Sequence, residues 1–225
     1  MHLILQVSRF SPANDTRPYF REYSLEMEPH AKVLDALLEA RRTDPTLSFR
    51  RSCRSSICGS CAVALNGKPT LACQTQIAEA ADDRGVLRVE PLPTFRQIKD
   101  LVVDLDPFFD SLKAVVPWLL PVPAHGGRVS PEDTAAIESP ATCILCGVCD
   151  AAVKFPGEVR PAAAVKGWRM ALDPRDRLGA ERTRLLDVPL DVLRLFVREL
   201  PRTCPKGVEL SEKLFERRWR DAPAR

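Results

Sequence analysis

The stretch that decides the reading is residues 52–73, SCRSSICGSCAVALNGKPTLAC. It places Cys53, Cys58 and Cys61 at C-x4-C-x2-C spacing, with Cys73 as a fourth cysteine further on. That is the plant-type ligand arrangement for a 2Fe–2S cluster. Such a site needs four thiolates around a compact anionic core, and short loops let backbone N–H groups point at the sulfurs. Ser55, Ser56, Gly59 and Ser60 are small enough to permit that approach. Arg50, Arg51 and Arg54 bring positive charge to a site that becomes more negative on reduction, which favours the reduced state. The alternatives for these residues are a structural zinc site or two disulfides. Zinc sites usually pair two short cysteine knuckles, and only Cys58 and Cys61 form one here. Disulfides need an oxidising compartment.

Outward from this loop the chain reads as strands and a helix. Residues 3–9 (LILQVSR) and 19–27 (YFREYSLEM) have strand patterns, separated by the turn-rich SPANDTRP. VLDALLEARR at 33–42 puts Val33, Leu34, Leu37 and Leu38 on one helical face. After the cysteine loop, Asn66-Gly67 is a strong hairpin signal between two short strands. VLRVEPL at 86–92 supplies a last strand. Together these predict a β-grasp, plant-type ferredoxin-like domain over residues 1–100.

The remainder, 101–225, reads as mainly helical. The stretch 98–120 is apolar at helical spacing until Pro117, with no strand signal. Ser130 is a candidate N-cap, with Asp133 three residues later. Further helices are expected over PAAAVKGWRMAL (161–172), VPLDVLRLFVREL (188–200) and ELSEKLFERRWR (209–220), and the Pro-rich stretch 117–131 reads as a connector. In this half, CILCGVC sets Cys143, Cys146 and Cys149 at C-x2-C-x2-C spacing in a tight turn, and Cys204 opens Cys-Pro-Lys-Gly. A run followed by a distant Cys-Pro is the bacterial ligand pattern for a 4Fe–4S cluster; the run alone could also hold zinc, as the lesser alternative. Proline after the fourth cysteine ends the local helix and fixes the loop. All eight cysteines are thereby used. The fold class expected is α+β, a β-grasp domain followed by an all-α 4Fe–4S domain.

Bulk properties narrow the function classes. The 225 residues carry 33 Lys+Arg against 30 Asp+Glu, so a net charge of +3 gives no argument for nucleic acid. No apolar stretch reaches the roughly 20 residues that span a bilayer; AVVPWLLPVPA at 114–124 is short and broken by three prolines. The N-terminal MHLILQVSRF lacks an export pattern. A reducing cytosol preserves thiolates, so the expected location is cytoplasmic, with peripheral docking on the cytoplasmic side of the inner membrane as a second option. His2, His30 and His125 are isolated, and Trp118, Trp168 and Trp219 read as packing residues. The basic tail FERRWRDAPAR reads as a solvated helix end. No Gly-rich phosphate loop, Ser-His-Asp set or FAD fingerprint is present, so no catalytic residue is expected on this chain.

These motifs, in this order, resemble the iron–sulfur subunit of the succinate dehydrogenase/fumarate reductase family. The resemblance rests on FRRSCRSSICGSCAVALNGKPTLACQT (49–75), EPLPTFRQIKDLVVDLDPFF (90–109), CILCGVC, GWRMALDPRD (167–176) and CPKG (204–207). It implies that Cys53, Cys58, Cys61 and Cys73 hold one 2Fe–2S cluster, and that Cys143, Cys146, Cys149 and Cys204 hold one 4Fe–4S cluster. It also implies a partner flavoprotein whose FAD works on a dicarboxylate, with this chain as the electron-transfer subunit of the oxidoreductase. Where the family carries a 3Fe–4S ligand set, this chain has Val153, Arg194 and Leu200. No 3Fe–4S cluster is therefore expected, and a small apolar core is expected in its place. Ser55-Ser56 stands where the family often has an acid and a glycine, which implies a raised 2Fe–2S potential. The external redox partner is then a soluble carrier. The alternatives are a membrane anchor in a succinate:quinone oxidoreductase with a replaced third centre, or a non-catalytic, cluster-stabilised interaction subunit.

Overall fold

The computed structural model describes residues 1–122, 127–186 and 188–211. His125, Trp219, the basic tail and most of the helix expected at 209–220 lie outside the described residues. In chain order the elements are β1 (His2–Arg9), β2 (Tyr19–Glu26), α1 (Val33–Thr43), β3 (Ala62–Leu65), β4 (Lys68–Leu71), α2 (Ile77–Ala80) and β5 (Val86–Glu90). There follow β6 (Gln97–Lys99), β7 (Val102–Val103), α3 (Asp106–Ala114), α4 (Pro131–Ala141), α5 (Val148–Ala152) and α6 (Pro161–Ala171). A 3-10 helix (Gly179–Leu186) and α7 (Leu190–Thr203) close the described part. The fold is mixed α/β, and the chain forms two compact units. The first is Met1–Leu105 with Ile144–Ala152; the second is the described part of Asp106–Cys143 and Val153–Arg225.

The first unit is built on a five-stranded sheet of order β2-β1-β5-β3-β4. β1 pairs antiparallel with β2 and parallel with β5, and β3 pairs antiparallel with both β5 and β4. Alternation on β1 buries Leu3, Leu5 and Val7, and β5 adds Leu87 and Val89. Against this face α1 buries Val33, Leu34, Ala36, Leu37 and Ala40, the spacing of an amphipathic helix. Leu38 is only partly buried against the same core. The β3–β4 hairpin turns through Asn66 (φ 48°) and Gly67 (φ 80°), the left-handed pair that a two-residue loop demands.

Residues 98–103 differ from the helical reading. They form the β6–β7 hairpin, turning at Asp100 (φ 46°), and the helix starts only at Asp106. Long-range bonding decides it: the Asp100 N–H donates to the Phe10 carbonyl, and its carboxylate accepts the Phe10 and Ser48 N–H groups. Those partners are remote in sequence, so local periodicity could not report them.

The second unit is helical. α6 is its axis, with Ala162, Ala163, Ala164, Val165, Trp168 and Ala171 buried. A Cβ at Gly167 would stand 3.0 Å from the Leu186 side chain and 3.4 Å from that of Val115, so these two side chains pack directly on the helix backbone there. Ser130 caps α4, its hydroxyl accepting the Asp133 N–H at 3.0 Å. Arg182, fully buried, holds Asp176 through two bonds and donates to the carbonyls of Val115, Val116 and Trp118. Trp118 was expected to pack, but its ring is 53 % exposed. Its backbone is tied down after the left-handed turn at Val116, which leaves the side chain outside. Among the described residues no helix is long and apolar enough to cross a membrane.

Asp173 gives this unit an acid-labile lock. Its carboxylate is fully buried between Arg175 (2.8 Å) and Arg169 (2.7 Å). Arg175 above all holds its pKa at about 2, against an ordinary 3.8. The folded pKa lies below the unfolded one, so the stabilisation is complete above pH 4 and disappears as pH falls toward 2. A shift of that size corresponds to about 2 kcal/mol. Unfolding titrations followed by circular dichroism should show the native chain losing about that much more stability across this window than Asp173→Asn. Equal slopes would remove Asp173 as the cause.

Candidate functional site

The first cysteine set is carried by a loop and a hairpin. Residues 53–61 change handedness repeatedly, with Arg54 (φ 59°), Ser56 (φ 55°) and Gly59 (φ 71°) in the left-handed region. Alternating handedness turns successive N–H groups inward, as in anion-binding nests. Cys53 Sγ accepts from the N–H groups of Ser55 (3.3 Å), Ile57 (3.4 Å) and Cys58 (3.2 Å). Cys58 Sγ accepts from Cys53 N–H, and Cys73 Sγ from Ser56 N–H, both at 3.4 Å. The hairpin register Ala62↔Leu71 brings Cys61 and Cys73 together at the strand ends, where the Ala72 N–H donates to the Cys61 carbonyl.

The environments of these thiols differ in a way that suits a metal cluster. Burial raises the pKa of Cys58, but the Ser60 hydroxyl and the N–H groups of Cys53 and Ser60 outweigh it and bring the thiol down to about 6. Burial pushes Cys61 up to about 12. The open end of the loop thus favours a thiolate by itself, while the buried end needs a bound cation to release its proton. Among the described residues, no group of three or more Cys, His, Asp or Glu side chains is drawn tight enough to hold a metal ion as it stands. None of the eight cysteines is paired in a disulfide. Beside the loop, Arg41, Phe49, Arg50, Arg51 and Ser60 line an open cleft of about 540 Å³. Ile57 at the loop tip is 67 % exposed.

The second set is divided. Cys146 and Cys149 belong to the first unit, and Cys143 and Cys204 to the second. Val148, between the first two in sequence, is fully buried in the core of the first unit, and Ile144 and Cys146 pack against that core. Cys149 lies in α5, with its thiol 3.3 Å from the Asp150 carboxylate. In the second unit, Cys143 follows the end of α4 and its carbonyl accepts Lys166 Nζ at 2.9 Å. Cys204 is the C-cap of α7, as the Cys-Pro pair predicts. Its sulfur accepts the Lys206 N–H at 3.4 Å.

The three positions read as lost ligands all fall in the second unit. Leu200 is buried on the face of α7 that also buries Leu193, Phe196 and Val197. Phe196 meets Phe155 edge-on, with ring centroids 5.0 Å apart. Val153 and Arg194 are half-buried. His2 is exposed and bonded to Glu26, His30 is exposed, and Trp168 is buried as expected. What the sequence concealed is the tertiary contact of Gly59. A Cβ there would stand 2.9 Å from both Cα and Cβ of Cys146, and 3.1 Å from the Ile144 carbonyl oxygen.

Residues 4–110 match the model of a 2Fe-2S iron-sulfur cluster binding domain. The chain is 37% identical over 218 residues to the fumarate reductase iron-sulfur subunit of Mycobacterium tuberculosis, covering 92% of this chain and 87% of that protein. It is 34% identical to the mitochondrial succinate dehydrogenase [ubiquinone] iron-sulfur subunit of Dictyostelium discoideum, covering 90% and 77%. Among solved structures, a chain of the Mycobacterium smegmatis Sdh1 complex in the apo form superposes with a TM-score of 0.80 over 98% of this chain and 96% of its own, at 23% identity. That likeness shows the fold.

Proposed function

The chain belongs to the iron–sulfur subunits of the succinate dehydrogenase/fumarate reductase family, and from that premise we propose that it carries electrons between the FAD of a partner flavoprotein and an external redox partner. The observation that carries this reading is the Cys53–Cys73 cradle, in which the backbone N–H groups of Cys53, Ser55, Ser56, Ile57, Cys58 and Ser60 are already aimed at its sulfurs. Cys53, Cys58, Cys61 and Cys73 would ligate a 2Fe–2S cluster, and Cys143, Cys146, Cys149 and Cys204 a 4Fe–4S cluster. The second assignment rests on motif spacing and on the family. In this reading residues 1–100 are a plant-type ferredoxin-like domain and 101–225 a helical one. Bound there, the clusters supply one-electron steps where a flavin works in pairs.

The protein's own residues do the rest. N–H groups aimed at thiolates stabilise negative charge on them, which favours the reduced state. Arg50, Arg51 and Arg54, close in sequence to Cys53, act in the same direction. Val153, Arg194 and Leu200 offer no thiolate, so we read the wire as ending at the second cluster, with a soluble carrier as acceptor. A membrane anchor with its own replacement centre is the competing arrangement. Purifying the tagged chain from its host in mild detergent and identifying its companions by mass spectrometry separates the two. A flavin-bearing subunit is expected. Its absence, with clusters that do not cycle reversibly in a redox titration, would overturn the reading in favour of a non-catalytic subunit.

We further propose that the flavoprotein docks at the loop that holds the first sulfurs, where Ile57 is an exposed apolar tip. Ile57→Asp is expected to weaken binding of the flavin-bearing subunit about tenfold or more, with the cluster's visible spectrum unchanged. Unaltered affinity in a titration would place the docking face elsewhere.

A further inference from the structure

We propose that Gly59 is a positioning residue that sets the separation between the first cysteine set and the arm bearing Cys146, and thereby the ease with which an electron crosses from one set to the other. This rests on the electron-transfer reading above and adds to it a residue that touches no iron. The crossing itself is balanced: one electron leaves the first set and enters the second, with no bond made or broken and no proton moved. The reduced flavin of the partner supplies the electron and the external partner takes it up.

Three observations converge. Gly59 has φ +71°, a conformation that side chains rarely adopt, and a Cβ there would lie 2.9 Å from the Cα and Cβ of Cys146. The obstruction is backbone and a short side-chain stem, so no flexible tip could swing away. Gly59 is bonded directly to Cys58, so the path between the two ligand sets is one peptide linkage and one van der Waals step. The arm is also held along its length: a Cβ at Gly147 (φ +75°) would stand 3.2 Å from Phe95, Val148 is locked in the core, and Thr94 Oγ1 donates to the Asp150 carbonyl at 3.1 Å. A methyl group at position 59 must therefore widen the gap between loop and arm.

The test uses the purified complex of this chain with its flavoprotein and compares Gly59→Ala with Gly157→Ala. Gly157 shares the left-handed conformation (φ +87°) but has open space where a Cβ would go. The readout is the spin relaxation of the reduced 2Fe–2S signal in electron paramagnetic resonance, with the second cluster oxidised and then reduced. In the native complex, reducing the second cluster should speed that relaxation. Gly59→Ala should weaken the effect and slow arrival of electrons at the acceptor about tenfold, while flavin reduction keeps its native rate. Gly157→Ala should leave both as in the native complex. A loaded Gly59→Ala complex with native relaxation and native transfer would overturn the proposal. If Gly59→Ala does not load its clusters, Phe95→Ala is read instead. It loosens the packing at Gly147, the residue after Cys146, without touching the loop, and it too should weaken the effect; no change there would equally overturn the proposal. Failure of the electron-transfer reading would look different, as native protein without cycling clusters or without a flavin partner.

Discussion

Cys146→Ala is expected to reduce electron delivery to any external acceptor to the level of the flavoprotein alone, while leaving the 2Fe–2S signal and flavin reduction intact. The substitution is informative because of what it spares. It removes only Sγ, so the Cα and Cβ that pack against Gly59 remain, and the arm keeps its place in the core of the first unit. Loss of transfer then reports loss of a ligand and not of packing. The first cysteine set is untouched, because its N–H donors and its sulfurs all come from residues 53–73. The matching Cys61→Ala variant should behave in the opposite order, losing the 2Fe–2S signal first and with it every later step. Stopped-flow reduction followed at flavin and cluster wavelengths, with iron analysis alongside, separates the two variants. Unchanged turnover of Cys146→Ala with the external partner would falsify the assignment of that cysteine to the wire.

Much of this was legible in the chain because the signals are local. Cysteine spacing, the Asn66-Gly67 turn, the apolar face of α1 and the Ser130 cap each lie within one short window, and each appears where the pattern puts it. What escaped is long-range. Residues 98–103 have helical spacing, yet Asp100 is claimed by Phe10 and Ser48, some 90 and 52 positions away, and the segment becomes a hairpin. Cys146 and Cys149 sit in a helical half of the sequence but pack with the β-sheet unit, because Val148 completes that unit's core. Gly59 reads in sequence only as a small residue near sulfur. Its clearance from Cys146 exists only once residues 59 and 146 have met. Trp118 shows the converse, a large aromatic residue whose backbone bonds hold it outside the core that its type would suggest.

A large stability effect should come from Arg9→Met. Arg9 ends β1 with its side chain 7% exposed, and its guanidinium joins four partners: Asp100 at 2.9 Å, Tyr23 at 2.7 Å, Thr46 at 2.8 Å, and Asp44. Asp44 also takes Arg21 and the Tyr23 hydroxyl, both at 2.8 Å. The energetic weight is in what removal leaves behind. Methionine fills much of the volume, but two carboxylates 6% and 2% exposed would then lose their shared cation. Asp44 would retain Arg21, and Asp100 would retain only the N–H groups of Phe10 and Ser48. Breaking a buried pair on one side typically costs ~3–5 kcal/mol. At ~2–4 °C per kcal/mol the melting temperature should fall by about 6–20 °C. Burial works against the Asp44 carboxylate, yet bonds from Thr46, Tyr23 and Arg9 hold it well below the ordinary carboxylate range. This stabilisation is therefore present at neutral pH and fades in acid, so native and variant melting curves should converge as pH drops. Adding Asp100→Asn to Arg9→Met should restore part of the loss, because the uncompensated charge disappears with it. The position gives the network a second consequence. Asp44 and Thr46 begin the segment that runs through Phe49 and Arg50 into Cys53, so loosening it should free the mouth of the first cysteine loop before the sheet melts. Iron release on warming should then precede loss of circular dichroism in Arg9→Met and coincide with it in the native chain. Simultaneous loss in both would confine the network to global stability.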